Sequence, residues 1–155
     1  MKAGIGYDAH RFSSRRKLML GGIQIPFNKG LSGHSDADAL LHSLCDAILG
    51  ALGKGDIGIH FPDTDNKYKG ISSLILLESV VKMLKNSRKK IVNADICIIA
   101  EEPKLSGYFN SMKAIISKTL GTKSTNINIK ATKNEKMGFI GNAEGIAVFS
   151  IVLIN

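Results

Sequence analysis

The spacing of apolar residues changes along the chain, and each change marks an element. Ala3 to His10 alternates as a strand, so Asp8 and His10, two positions apart, point to one face. Leu18-Met19-Leu20 and Ile23-Gln24-Ile25 flank Gly21-Gly22 and predict a small hairpin flap, with Pro26 arguing for an edge position. From Ser35 to Leu52 the period becomes helical. Leu41, Leu44, Ile48 and Leu52 form the stripe, Ser35 can cap the start with Asp38 three residues on, and Gly53-Lys54-Gly55 ends it.

Lys54 to Lys69 is polar and rich in Gly, Pro and Asp, too long for a plain connector, so it reads as a functional or mobile loop. A second helix is predicted at about Ile71 to Lys85, with Leu74, Leu77, Val81 and Leu84 on one side. Ile91 to Ala100 alternates as a strand with Val92, Ala94, Ile96, Ile98 and Ala100 on one face, and a third helix spans about Leu105 to Leu120, stopped by Gly121. Asn126 to Ala131 alternates again. Gly145 to Ile154 is almost continuously apolar, which predicts a strand buried on both faces. This order predicts an α/β fold: one domain over residues 1–155, a mixed sheet with helices on one face, and the hairpin flap. Helices on one face leave the Val148 to Leu153 strand in need of cover, and another subunit is the simplest source.

Composition narrows the classes. Twenty-one Lys and Arg against 13 Asp and Glu give a formal charge of +8, which attracts anions. Nucleic acid is disfavoured, because the dense basic groups are two turn-like runs, Arg15-Arg16-Lys17 and Arg88-Lys89-Lys90, and the chain holds six Phe, three Tyr and no Trp. Cys45 and Cys97 lie inside apolar patterns and read as reduced core residues rather than a disulfide. No apolar run has the length of a membrane span or the layout of a signal peptide. The expectation is a soluble protein of a bacterial cytoplasm, or of a plastid-type organelle if a transit peptide has been removed.

Candidate chemistry centres on Asp8, His10 and His42. Two imidazoles and one carboxylate with a fourth position open is the usual donor set of catalytic zinc. Asp38, His42 and Asp46 recur every four residues and share one side of the first helix, so spacing leaves open whether Asp8 or Asp38 is the carboxylate ligand. Taken singly, each belongs as well to an exposed helix face. His34 and Ser35 stand at the expected helix N-terminus, which favours an anion such as phosphate. The Asp56-Ile57-Gly58 and Phe61-Pro62-Asp63-Thr64-Asp65 segments could accept hydrogen bonds from a polyol, although turn propensity explains them nearly as well. Ala131-Thr132-Lys133-Asn134-Glu135-Lys136 and the glycines after it could contact phosphates, with Glu135 on Mg²⁺, but lack the spacing of a nucleotide P-loop.

Together these segments, with Ser35-Asp36-Ala37-Asp38 ahead of His42, Asp46-Ala47-Ile48-Leu49-Gly50-Ala51 and Glu135-Lys136-Met137-Gly138-Phe139, resemble the 2-C-methyl-D-erythritol 2,4-cyclodiphosphate synthases from end to end. The resemblance implies a homotrimeric lyase of isoprenoid biosynthesis, with its sheets facing the trimer interior. It would convert 4-diphosphocytidyl-2-C-methyl-D-erythritol 2-phosphate into the cyclic diphosphate and CMP. It makes Asp8, His10 and His42 the zinc ligands and gives Glu135 a second divalent ion, Mg²⁺ or Mn²⁺. His34, Ser35 and Thr132 would orient the diphosphate, with His34, Thr132 and Lys133 as the catalytic set. Asp56, Ile57, Gly58, Phe61, Pro62, Asp63, Thr64 and Asp65 would line the methylerythritol end, with Asp46 beside them. Ala100, Glu101, Glu102, Pro103, Lys104, Leu105 and Ser106 would form the cytosine pocket, closed by Ala131 and Thr132. Asn134, Phe139 and Asn142 complete the implied substrate-binding set. Two positions depart from the pattern: Lys133 stands where Thr or Ser is usual, and Asn142 where Arg is common.

Overall fold

The computed structural model describes residues 1–155. Its strands are β1 (Lys2–Ser13), β2 (Leu18–Leu20), β3 (Ile23–Ile25), β4 (Gly30–Leu31), β5 (Ile91–Ile99), β6 (Ile127–Thr132) and β7 (Gly145–Ile154). Its helices are α1 (Ala39–Leu52), α2 (Ile57–His60), α3 (Ser73–Asn86), α4 (Phe109–Leu120) and α5 (Gly138–Gly141). Five strands form one sheet in the order β4-β1-β7-β5-β6, and β2 pairs with β3 as the separate flap. Only the β5–β6 pair is parallel, so the sheet is mixed.

α1 lies on β1 and β7, α3 packs on α1, and α4 packs on β6 and α3, so the helices share one side of the sheet. The apolar stripe of α1 accounts for that position, since Leu40, Leu41, Leu44, Ile48 and Leu49 are all fully buried. Two glycines set how closely the helix approaches. A Cβ at Gly4 would stand 2.0 Å from the Ala47 carbonyl oxygen and one at Gly6 1.9 Å from that of Ser43. Helix backbone therefore rests directly on strand backbone, which carries His42 toward the inward-facing Asp8 and His10.

Several boundaries differ from the sequence reading, each for a local reason. α1 starts at Ala39 rather than near Ser35, because Ala37 adopts φ 58° and breaks the helical path. Asp38, not Ser35, is the N-cap, accepting from the Leu41 amide. α3 starts at Ser73 behind a Ser72 cap, and the expected third helix opens with a 3₁₀ turn at Ser106–Tyr108 before α4. In β5 the pairing with β7 shifts between Ile91 and Asn93, so Val92 leaves the buried face and Ile91 joins it. β6 begins at Ile127 because a 3₁₀ turn occupies Ser124–Asn126.

β7 keeps its expected limits but is not buried on both faces within one chain. Ile146, Val148 and Val152 face the helices, whereas Phe149 and Ile151 are 42% and 52% exposed. They pair with Tyr7 and Ile5 of β1, themselves 48% and 65% exposed, so the helix-free face carries a continuous apolar patch. No helix is long and apolar enough to cross a membrane.

Candidate metal centre and adjoining hollows

Asp8 and His10 project from the inward face of β1, and His42 reaches them from the first turn of α1. Asp8 Oδ2 lies 2.8 Å from His10 Nε2 and 3.0 Å from His42 Nδ1, and the two imidazole nitrogens are 3.2 Å apart. Donors bonded at 2.0–2.1 Å to one tetrahedral ion would stand roughly 3.3 Å from each other, so this triangle needs only slight expansion to close around a cation. The outward ring atoms are already engaged: His10 Nδ1 meets the Ser32 carbonyl at 2.7 Å, leaving Nε2 for the centre. The three side chains therefore fit a metal ion and could hold one.

Asp38, the alternative carboxylate, is excluded by its partners. Its oxygens accept from the amides of Gly21, Gly22 and Leu41, tying the flap to the start of α1 in a fully buried position. Burial raises its carboxyl pKa against those amide hydrogen bonds. At Asp8 burial also pushes upward, but the hydrogen bonds and charges of His10 and His42 outweigh it and leave the group at about 2. Burial lowers His10, and the Asp8 carboxylate more than reverses that, raising it above 6.5.

A hollow of about 540 Å³ opens beside the triad, lined by His10, His34, Ser35 and His42 on one side and by Ile57, Gly58, Phe61, Pro62, Asp63, Thr64 and Tyr68 on the other. Arg16 holds its floor by donating to the carbonyls of Gly33 and Ser35, which flank His34. The loop from Lys54 to Lys69 is ordered by two of its own carboxylates and one from α1. Asp56 caps α2 through the Ile59 amide, Asp65 accepts from the Lys67 amide, and Asp46 accepts from the Ile57 amide at 2.7 Å. Burial, with the Asp56 and Asp8 charges, raises the Asp46 carboxyl. Phe61 and Tyr68 meet edge to face at 5.4 Å and join the middle of the loop to its far end.

A second hollow, about 650 Å³, is lined by Ala100, Glu101, Pro103, Lys104, Leu105, Ser106, Phe109, Ala131, Thr132, Lys133 and Glu135. It shares no lining residue with the first, and Glu135 is not among the triad. Glu101 braces this hollow, its Oε1 accepting from the amides of Asn134 at 2.9 Å and Lys136 at 3.2 Å. Glu102 pairs with Lys29 at 3.6 Å, Asn134 donates its side-chain amide to the Met137 carbonyl, and Asn142 reaches Glu144 at 3.5 Å. None of those three, nor Phe139, lines either hollow.

Sequence reasoning missed five participants. Arg16 appeared only as part of a basic turn. Tyr68, Leu76 and Phe109 complete hollow walls with no motif to announce them. Ser73 has a hydroxyl 2.9 Å from His42 Nε2, across 31 residues of sequence that no spacing rule links.

Known proteins match this chain over nearly its whole length. A curated relative from Brachyspira hyodysenteriae, 2-C-methyl-D-erythritol 2,4-cyclodiphosphate synthase, is 54% identical over 99% of this chain and 98% of its own. The structure of the bifunctional IspDF from Campylobacter jejuni superposes with a TM-score of 0.90 at 45% identity, covering 99% of this chain and 42% of that one. The CDP complex of IspF from Plasmodium falciparum gives a TM-score of 0.88 at 35% identity, covering 99% and 94%. The YgbB family model matches residues 1–155, and with full-length relatives at this identity the chain belongs to the YgbB family.

Proposed function

We propose that this chain is a 2-C-methyl-D-erythritol 2,4-cyclodiphosphate synthase of isoprenoid biosynthesis, releasing CMP from 4-diphosphocytidyl-2-C-methyl-D-erythritol 2-phosphate. The observation that carries the reading is the converging Asp8, His10 and His42 donor set at the wall of a hollow, in a chain related to these synthases along its full length. In the reaction an oxygen of the 2-phosphate bonds to the β-phosphorus. The bond from that phosphorus to the bridging oxygen breaks, and CMP leaves with the electron pair. Because the substrate carries its own nucleophile, no Ser, Cys or Lys nucleophile is needed, and catalysis rests on positioning and charge. A zinc ion held by Asp8, His10 and His42, with a second divalent ion, Mg²⁺ or Mn²⁺, held by Glu135, supplies positive charge that offsets repulsion between the phosphates.

The chain's own groups do the rest. His34, with Ser35 behind it, orients the diphosphate from the loop that Arg16 clamps. Asp56, Gly58 and Asp63 to Asp65 face the methylerythritol hydroxyls, and Asp46 holds that loop through Ile57. Cytosine sits between Pro103 and Leu105 on one side and Ala131 on the other. Thr132 and the Lys133 ammonium reach the phosphates from that hollow, the cation standing in for the hydroxyl more usual there. Three copies around an axis, sheets inward, would cover the Ile5, Tyr7, Phe149 and Ile151 patch. They would also bring the nucleotide hollow of one copy to the metal-side hollow of the next.

The test is direct. Purified protein given the cytidylyl substrate is expected to yield CMP and cyclic diphosphate in equal amounts, to stop with chelator and to resume with zinc. His42→Ala is expected to lose turnover while keeping its fold. Solvent oxygen in the phosphate product would reveal a hydrolase instead, and CMP binding without turnover would reveal a metabolite sensor.

A further inference from the structure

His10 is turned by a backbone carbonyl, that of Ser32, whereas His42 is turned by side chains from beyond the β1–α1 pair. His42 Nε2 lies 2.9 Å from Ser73 Oγ and 3.0 Å from Ser35 Oγ. Ser73 is fully buried at the first position of α3, and its hydroxyl donates to Asp36 Oδ1. The other oxygen, Asp36 Oδ2, accepts the Ser73 backbone amide at 3.0 Å. Asp36 is itself held, since its amide donates to the Ile71 carbonyl at 3.0 Å while Gly70 donates to His34 at 2.8 Å.

The proton count decides how this chain is directed. A serine hydroxyl has one proton, and Asp36, an acceptor when ionised, takes it. The Ser73 oxygen can then face His42 Nε2 only as an acceptor, which favours a ring proton on Nε2, with the Ser35 oxygen as its second acceptor. With a cation at the centre, the neutral ring then offers it the Nδ1 lone pair, on the atom 3.0 Å from Asp8 Oδ2, whereas in the metal-free protein Nδ1 holds a proton toward that carboxylate. The opposite tautomer would set the Nε2 lone pair against the Ser73 lone pair. A plainer role for Asp36, capping α3 through the Ser73 amide, accounts for Oδ2 but not for the hydroxyl contacts.

We propose that Asp36 and Ser73 are positioning residues that fix His42 as an Nδ1 metal ligand through the chain carboxylate, hydroxyl, imidazole. Ser73 arrives on the helix that ends the Lys54–Lys69 loop, so the same contact joins that loop's far end to the metal centre. Partners of this kind commonly contribute 10–100-fold to metal affinity. The inference rests on the reading of Asp8, His10 and His42 as a metal centre, and the experiment separates the two.

Zinc dissociation constants are measured by competition with a chromophoric chelator for the parent, Ser73→Ala, Asp36→Asn and the double variant, alongside melting of the metal-free forms. Ser73→Ala retains the backbone amide that Asp36 caps, and roughly tenfold weaker zinc binding is expected, Ser35 remaining as a partial acceptor. Asp36→Asn is expected to weaken binding similarly, and the double variant little further, because the two act as one chain. A purely structural role would lower the melting temperature and leave zinc affinity alone. Ser73→Ala within twofold of the parent, or losses that multiply in the double variant, would overturn the proposal. A parent that binds no zinc would instead overturn the metal reading. A measurement on the zinc-loaded parent needs no variant to fold: the His42 Nε2 proton is expected as a slowly exchanging nitrogen-coupled resonance with a cross-peak to the Ser73 β-protons. Rapid exchange with solvent there would sink the idea.

Discussion

Asp8 and His10 share a proton economy that makes the metal-free protein sensitive to pH in both directions. Asp8, only 24% exposed, has its folded pKa depressed to about 2 from 3.8, so its contribution is complete above pH 3.8 and disappears as pH falls toward 2. That contribution is about 2 kcal/mol. His10 has the opposite sign. Its folded pKa is raised, so its contribution is complete below 6.5 and is lost as pH climbs through the raised value. Between about pH 4 and 6.5 both are present. Thermal melts of the metal-free protein across pH 3 to 8 are expected to show the pair's contribution greatest in that window. His10→Gln should remove the loss on the alkaline side, and an unchanged profile in that variant would contradict the assignment. Zinc requires His10 unprotonated, so its binding should release protons near neutrality and strengthen as pH rises.

At the scale of elements, the seating of α1 on β1 decides whether three ligands can meet. Gly6→Ala must push the Ser43 carbonyl away, and overpacking of that kind costs about 1–3 kcal/mol or more. The expected result is a lower melting temperature together with weakened zinc binding, because His42 moves with the helix. Gly50→Ala is the control: its Cβ would find only the Ile5 carbonyl, at 3.7 Å, so a gain of roughly 0.5–1 kcal/mol is expected there. Similar behaviour of the two variants would show that the close approach is unimportant. The hairpin flap and the limits of β7 were legible in sequence because alternation and turn residues are local signals. The start of α1 was not, since it depends on the Ala37 backbone and on Asp38 finding Gly21 and Gly22 from across the flap. The Asp-x-His pair could be read as a metal site because a strand repeats every two residues. Ser73 could not, because only tertiary packing brings α3 to His42.

For the whole molecule, two hollows without a common lining residue call for a test of which chains complete a site. His42→Ala spoils one hollow and Lys104→Ala the other. If adjacent copies combine halves, dissociating, mixing and reassociating these inactive proteins should restore part of the activity. No recovery in verified mixed oligomers would mean that each chain serves its own site. Phe149→Asp should in turn leave a monomer, by burying a charge in the proposed interior. Whichever chains meet there, the Glu101 brace bears on the thermodynamics of capture. The loop carrying Lys133 and Glu135 is already folded onto Glu101, with Glu135 and Lys136 held at φ 50° and 63°. Ordering a backbone costs about 1–2 kcal/mol per residue, and here much of it is met when the chain folds rather than when the ligand arrives. A nucleotide entering this hollow then keeps more of its contact enthalpy as affinity, and its binding should show a smaller entropic penalty than a loop that folds around its guest.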